Sequence, residues 1–214
     1  MKSPGISHKA IGRLCLYRRI LEEMDAEGKS RVFSHDLAGL AGQTAVLVRR
    51  DLMIIGYAGS PNRGYDVGAL RHAIGDMLDQ HEKRNVALVG VGNLGRALLD
   101  YFRGLRANLE ISAAFDTDPD KVGRVIGGTR THPLDDLSRV IEEQSIRVAV
   151  LTVPSGSAQE TADRLVSAGV RSLLNFTRVR LQVPVGIYVE NVDISMSLEK
   201  VAYFARKGEL ERGA

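Results

Sequence analysis

The stretch NVALVGVGNLGRALLDYF, residues 85–102, reads as a short apolar strand, a glycine turn and an amphipathic helix. Gly90, Val91, Gly92, Asn93, Leu94 and Gly95 spell GxGxxG at that turn. In a strand-turn-helix setting the first glycine permits the tight turn and the second lets the backbone approach a pyrophosphate. The third lets helix and strand pack closely, and the helix N-terminus then offers N–H groups to the phosphates. A glycine turn kept for structural reasons alone is the competing reading. What favours dinucleotide binding is AAFDTDP, where Asp116 ends the next strand 21 residues beyond Gly95. A carboxylate there accepts hydrogen bonds from a ribose 2′-hydroxyl and repels a 2′-phosphate, so NAD is expected over NADP.

Downstream, apolar strand candidates at 86–89, 111–115, 148–153 and 170–175 alternate with helical segments at about 94–104, 133–143 and 157–168. That alternation implies a parallel sheet covered on both faces. Thr152, Val153 and Pro154 fall at the C-terminal end of a parallel strand, where they can wall the nicotinamide site. The ring is neutral in NADH and cationic in NAD+, so an apolar wall favours the reduced form. A hundredfold preference needs only about 2.7 kcal/mol. The last segment, SMSLEKVAYFARKGELERGA, reads as a helix with Leu198, Val201, Ala202 and Ala205 on one stripe.

Upstream, helical spacing over 7–27 (Ile11, Leu14, Tyr17, Ile20 or Leu21, Met24) ends at Gly28. Ser34 is expected to cap a second helix with Leu37, Leu40 and Ala41 on one face, and Gly42 to break it. A third helix over about 43–54 turns Ala45, Val48 and Leu52 inward. The stretch MIIGYAGSPNRGYDV then predicts a hairpin with its tip at residues 59–64, and a helix over about 67–80 follows. Three helices and a hairpin are a winged-helix layout, with a helical cap on the nucleotide domain as the alternative. Residues 1–84 carry 13 Lys and Arg against 10 Asp and Glu, whereas the remainder carries 16 of each, so the whole net charge of +3 lies in the first part. The expected organisation is therefore a winged-helix DNA-binding domain over 1–80, a Rossmann-like domain over 85–194 and a C-terminal dimerisation helix over 195–214, with the boundary in DQHEKRN.

Composition narrows the classes. A chain of 214 residues, 44% hydrophobic and 26% charged, is ordinary for a soluble protein. Runs such as VAVLTV are too short to span a bilayer, and the N-terminus lacks a secretory pattern, so a cytoplasmic protein is expected. Cys15, the only cysteine, is read as a buried thiol, and the five histidines form no metal-binding pattern. Little chain remains for a substrate domain. His132 falls in the connection after the second strand, away from where a dehydrogenase needs its proton donor. On the third helix, Arg49 and Arg50 face outward to meet phosphates or guanines, or stand as a solvated pair. Gln43 and Thr44 at the helix N-terminus are further base-edge candidates, and Arg63 at the wing tip can reach the minor groove.

Over about residues 6–206 the chain resembles the Rex family of redox-sensing transcriptional repressors. The matching segments are RLCLYRRILEE, VRRDL, RGYDV, GVGNLGRAL, AAFDTDP, LTVP, LLNFT and VENVDISMSLEK. The resemblance implies a homodimeric repressor that binds operator DNA, senses the NADH/NAD+ ratio and leaves the operator when NADH accumulates, with a C-terminal helix exchanged between subunits. It also implies a switch in which Asp193 pairs with Arg13 in the DNA-binding state and with Tyr101 when NADH is bound, which brings Tyr101 to the cofactor as well. The departures are Met53-Ile54-Ile55 where a polar-aromatic pair is usual, AGQTAVLVRRDL where the family commonly has GVTPAQVRKDL, an unusual wing tip, and Arg178 where proline is common. The alternative reading from the residues is a small NAD-dependent oxidoreductase with an N-terminal helical cap.

Overall fold

Ser7 opens the first helix by accepting a hydrogen bond from the Ala10 N–H at 3.2 Å. The structure, a computed structural model, describes residues 6–60, 62–79, 83–104 and 108–212, with only the backbone path for 206–212. Pro61 of the predicted wing tip, Gln80 at the end of the predicted fourth helix, residues 80–82 of the predicted boundary and the last two residues lie outside the described residues. The chain divides into two compact units, Met1–Glu82 and Lys83–Ala214, and the C-terminal helix is counted in the second.

In the first unit, α1 (His8–Ala26) buries Ala10, Leu14, Tyr17, Ile20, Leu21 and Met24, one face at helical spacing, and Gly28 ends it at φ +76°. Next come β1 (Arg31–Val32), α2 (Ser34–Ala41), α3 (Ala45–Ile54), β2 (Tyr65–Asp66) and α4 (Val67–Asp79). Gly42, at φ +61°, closes α2, and the Gln43 N–H reaches back to the Ala38 carbonyl at 2.8 Å. Leu37, Val48, Leu52, Leu70 and Ile74 join the α1 face in one apolar core.

The first unit departs from the sequence pattern at four places. Ser34 is the first helical residue of α2 rather than its cap; Phe33 holds that position, and its N–H is met by the Asp36 carboxylate. Leu40 is exposed and Ala38 takes its place in the core, because the helical turn carries 38 and 41 to the side of Leu37. Cys15 is exposed, one position off the buried stripe at Leu14. The residues before Gly59 form no strand, since Met53 and Ile54 extend the helical turn of α3. The partner of β2 is instead β1, antiparallel, with Val32 opposite Tyr65. A single bridge between Ser60 and Gly64 closes the wing tip.

The second unit holds β3 (Arg84–Val89), α5 (Asn93–Phe102), β4 (Leu109–Asp116), β5 (Val125–Ile126), β6 (Thr129–Pro133), α6 (Leu137–Glu143), β7 (Val148–Leu151), α7 (Ala158–Ser167), β8 (Ser172–Asn175), β9 (Tyr188–Asn191) and α8 (Ile194–Arg212). The sheet order is β5-β6-β4-β3-β7-β8-β9, parallel throughout except for the edge hairpin of β5 with β6. Without β5 this is the doubly wound order 3-2-1-4-5-6. Alternate residues of the strands feed two cores. Ala87, Val89, Phe115 and Leu151 pack with α6 and α7, while Val86, Leu88, Ala114 and Val150 pack with Leu99 of α5. His132 lies within β6, opposite Phe115, and not in a connection. The predicted strand at 148–153 stops at Leu151, leaving Thr152 and Val153 to a loop. In α8, Leu198, Val201, Tyr203 and Phe204 are all exposed. Among the described residues no helix is long and apolar enough to cross a membrane, and no cluster of metal-ligating side chains occurs.

Candidate nucleotide cleft and DNA-reading face

In a doubly wound sheet, ligands bind beyond the C-terminal strand ends where the strand order reverses. Here that point lies between β3 and β7, and a cleft of about 600 Å³ opens at it. Gly90 leaves β3 at φ +99°, and a Cβ there would stand 2.8 Å from the Thr152 backbone. A Cβ on Gly95 would overlap the Gly90 carbonyl oxygen, so strand turn and helix touch through both glycines. Gly92 has no heavy atom within 4 Å of where its Cβ would be. As the residue capping α5 it also brings no side chain to its first-turn N–H groups, the arrangement an anion requires. The Thr152 hydroxyl donates to the Gly90 carbonyl at 2.7 Å and lies 3.0 Å from that of Val89, which pins the turn.

Asp116 stands beside the turn, its side chain 10% exposed. Its Oδ2 accepts the Val91 N–H at 2.7 Å and its Oδ1 the Asp118 N–H at 2.9 Å. Lys121 Nζ lies 3.2 Å from both Asp116 Oδ2 and Asp118 Oδ2. Burial pulls the Lys121 pKa down, but the hydrogen bonds to the two carboxylates outweigh it and the net direction is up. The Asp120 N–H, then Lys121, lowers the Asp118 pKa. The cleft is completed by Leu134, Val153, Pro154, Ser157 and Thr161. Lys121, Leu134, Ser157 and Thr161 escaped the sequence reading. Lys121 had a signal in DPDK, one helical turn past Asp118, whereas the others reach the cleft only through the crossovers after β6 and β7.

Of the proposed cofactor and switch residues, Gly90, Gly92, Asp116, Thr152, Val153 and Pro154 line the cleft, and the Val91 side chain is buried in the core with Leu99 of α5. Asn93 and Leu94 form the exposed first turn of α5. Tyr101, 65% exposed and edge-on to Phe102, is not among the lining residues. Asp193 caps α8, its Oδ1 accepting the Met196 N–H at 2.9 Å. Arg13 is engaged by Asp51 of α3 through Nε at 2.6 Å and Nη2 at 2.7 Å, and the Tyr17 hydroxyl donates to the same carboxylate at 3.1 Å. Asp51 is 1% exposed. Burial first, and the Asp51 charge second, push the Tyr17 pKa up to about 12. The NFT and ENVD segments meet at Asn175, which is fully buried. Its Nδ2 donates to the Val179 carbonyl at 2.9 Å and to Asn191 Oδ1 at 2.8 Å, and its Oδ1 accepts from the Thr177 hydroxyl at 2.7 Å.

On α3 the outward stripe is Val46, Arg49, Arg50 and Met53, the i, i+3, i+4, i+7 set of one helix face. Arg49 Nη1 donates to Ser34 Oγ at 2.9 Å. Gln43 Nε2 is bonded to the Ala41 carbonyl at 3.3 Å, and Thr44 Oγ1 caps α3 by accepting the Leu47 N–H at 3.3 Å. Arg63 is exposed at the wing tip. The second helix of a helix-turn-helix with two outward arginines, joined in one chain to a dinucleotide-type cleft, defines a class: DNA-binding proteins governed by a bound nucleotide.

Comparison with known proteins narrows that class. Two family models match, one described as "CoA binding domain" over residues 81–179 and one as "Putative DNA-binding protein N-terminus" over residues 5–52. A "Redox-sensing transcriptional repressor Rex" of Lactobacillus acidophilus is 41% identical, covering 90% of this chain and 91% of its own. That of Shouchella clausii is 43% identical over 91% and 92%. The crystal structure of a Rex-family repressor, RSP, in complex with NAD+ and operator DNA matches with a TM-score of 0.87 at 32% identity, covering 98% of this chain and 96% of that one. Its complex with NADH matches with a TM-score of 0.86 over 97% and 98%. The chain belongs to the Rex family of redox-sensing transcriptional repressors.

Proposed function

We propose that the protein is a transcriptional repressor that binds operator DNA through α3 and the wing, and leaves it when NADH fills the cleft between β3 and β7. The observation that carries this reading is the likeness, over nearly the whole chain, to one repressor solved both on operator DNA with NAD+ and with NADH. The cleft suits the ligand. The pyrophosphate belongs over Gly92 and the first turn of α5, a ribose hydroxyl at Asp116, and the nicotinamide toward Val153 and Pro154, whose apolar surface favours the uncharged ring. The working divisions are 1–80 for DNA, 85–194 for the dinucleotide and 195–214 for dimerisation. The protein acts as a sensor without turnover, and its compartment is that of its operator, the cytoplasm.

The active species is a homodimer. Two recognition helices enter successive major grooves on one DNA face when they stand about 34–36 Å apart. The exposed apolar side chains of α8 are the surface through which two copies join. Arg13, Tyr101 and Asp193 form the switch between them, and each keeps capacity for it. Asp51 holds Nε and Nη2 of Arg13, which leaves Nη1 for a second acceptor; Asp193 keeps Oδ2; the Tyr101 ring is exposed. A ligand shifts two states only by its differential affinity for them, so a hundredfold preference for one state over the other bounds the swing at about 2.7 kcal/mol per bound NADH.

A gel shift with a palindromic duplex, titrated separately with NADH, NAD+ and CoA, tests the proposal. Release by NADH at concentrations where NAD+ leaves the complex intact is expected. Release by CoA alone would favour the second reading, a regulator of the same build that senses CoA, to which the family model over residues 81–179 points. Oxidation of NADH by a hydroxy-acid or keto-acid couple, with no DNA retained, would favour a dehydrogenase.

A further inference from the structure

A helix-turn-helix reads base edges mainly through the N-terminal residues of its second helix. In α3 those residues are Ala45, Val46, Leu47 and Val48, a first turn without a polar side chain. Val48 is fully buried, and Ala45 and Leu47 are half-buried. Val46 is 68% exposed and stands on the same stripe as Arg49, Arg50 and Met53, the last 74% exposed. The polar residues just before the turn are partly committed within the chain, Gln43 to the Ala41 carbonyl and Thr44 to the Leu47 N–H.

Nothing in the fold asks for valine at 46. It contributes nothing to the core, its β-branch lowers helix propensity, and an acidic residue would suit the helix dipole there better. The first turn carries no acidic residue, and the stripe continues into two arginines, so its charge complements a duplex. In the major groove the base-edge groups are hydrogen-bond donors and acceptors, apart from one apolar group, the C5-methyl of thymine.

We propose that Val46 is a specificity residue that reads one thymine in each operator half-site by packing its methyl groups on the thymine C5-methyl. The inference rests on the DNA-binding reading above and adds to it a base and a side chain. Arg49 and Arg50, one turn on, anchor the helix so that the apolar contact is made at the bottom of the groove.

The test is a double-mutant cycle between Val46→Ala and thymine→deoxyuridine, which removes only the C5-methyl. The probe is a palindromic duplex selected by the protein itself, with NAD+, from a randomised pool, and each thymine of one half-site is replaced in turn. At one position wild type should lose about fourfold in affinity, the equivalent of about 0.8 kcal/mol for one aliphatic carbon removed from water. V46A should bind the thymine and uracil probes there with equal affinity. Because Val46 is exposed, V46A should keep wild-type thermal stability and wild-type NADH affinity, two readouts that separate lost base contact from lost structure. Uniform indifference of wild type to uracil, or an unchanged uracil penalty in V46A, overturns the inference while leaving DNA binding in place. A pool from which no sequence is enriched overturns the DNA-binding reading and this inference with it.

Discussion

If Asp116 receives the ribose as proposed, Asp116→Ala should weaken NADH binding and strengthen NADPH binding. The Asp116 carboxylate has about four lone-pair positions. The Val91 N–H, the Asp118 N–H and the Lys121 ammonium occupy three, which leaves room for a ribose hydroxyl. A hydrogen bond to a charged acceptor contributes about 1.5–3 kcal/mol, so NADH affinity should fall about 10- to 150-fold. NADPH should move the other way. Its 2′-phosphate no longer meets a carboxylate, and Lys121, held between Asp116 and Asp118 in the native cleft, becomes free to turn toward it. The ratio of the two affinities should therefore change by more than the loss for NADH alone. Calorimetric titration with both dinucleotides reads this directly. Asp116→Asn, which keeps an acceptor for Val91 but removes the charge, separates a folding defect from a selectivity change. Lys121→Ala should weaken NADPH further and leave NADH nearly unchanged. Wild-type affinity and selectivity in D116A would refute the placement of the ribose.

Arg49→Ala with Arg50→Ala should abolish operator retention and leave NADH affinity as in wild type; a double variant that retards the probe normally at physiological salt would exclude α3 as the reader. Truncation after Asp193 removes the exposed apolar side chains of α8 and should leave monomers or loose dimers that fail to hold the operator, which sedimentation and gel shift would show. Tyr17, with its pKa pushed up to about 12, makes a contribution to stability that is fully present below about pH 10 and lost as pH rises toward about 12. Tyr17→Phe should flatten that part of the stability curve and delete a phenol that ionises near pH 12 in a spectrophotometric titration; an unchanged alkaline transition would count against a buried phenol on Asp51.

The parallel sheet was legible because its central strands are apolar and unbroken, as buried parallel strands must be, and because Gly90, Gly92 and Gly95 mark the turn by steric necessity. The edges were not. β6 reads TRTHP and β9 reads YVEN, sequences without the apolar run of a central strand, so pattern alone puts His132 in a connection. β1 is two residues long, and its partner across the sheet follows 33 positions later in β2, a non-local pairing that no local pattern signals. Leu40 and Cys15 failed for one reason. On a short helix or beside a buried stripe, a shift of one position turns a side chain by about 100°, and an apolar residue next to the core is not thereby in it. The cleft was half legible: Asp116 announces itself at a strand end, while Leu134, Ser157 and Thr161 arrive from two separate crossovers. Nothing in VRRDL itself signals that Asp51 is buried; its partners Arg13 and Tyr17 come from another helix.

That last arrangement has a mechanical side. Two hydrogen bonds from one planar guanidinium fix both the position and the orientation of Asp51, and the Tyr17 hydroxyl fixes it from a third direction. Sliding α1 along α3 would break all of them and strand a charge out of water, a penalty of about 3–5 kcal/mol for a buried pair deprived of one member. That exceeds the roughly 2.7 kcal/mol a hundredfold ligand preference can deliver. The two helices therefore travel as a single stiff lever. On the proposed switch, a displacement of α1 would carry Arg49 and Arg50 with it, and the hinge would lie outside this joint.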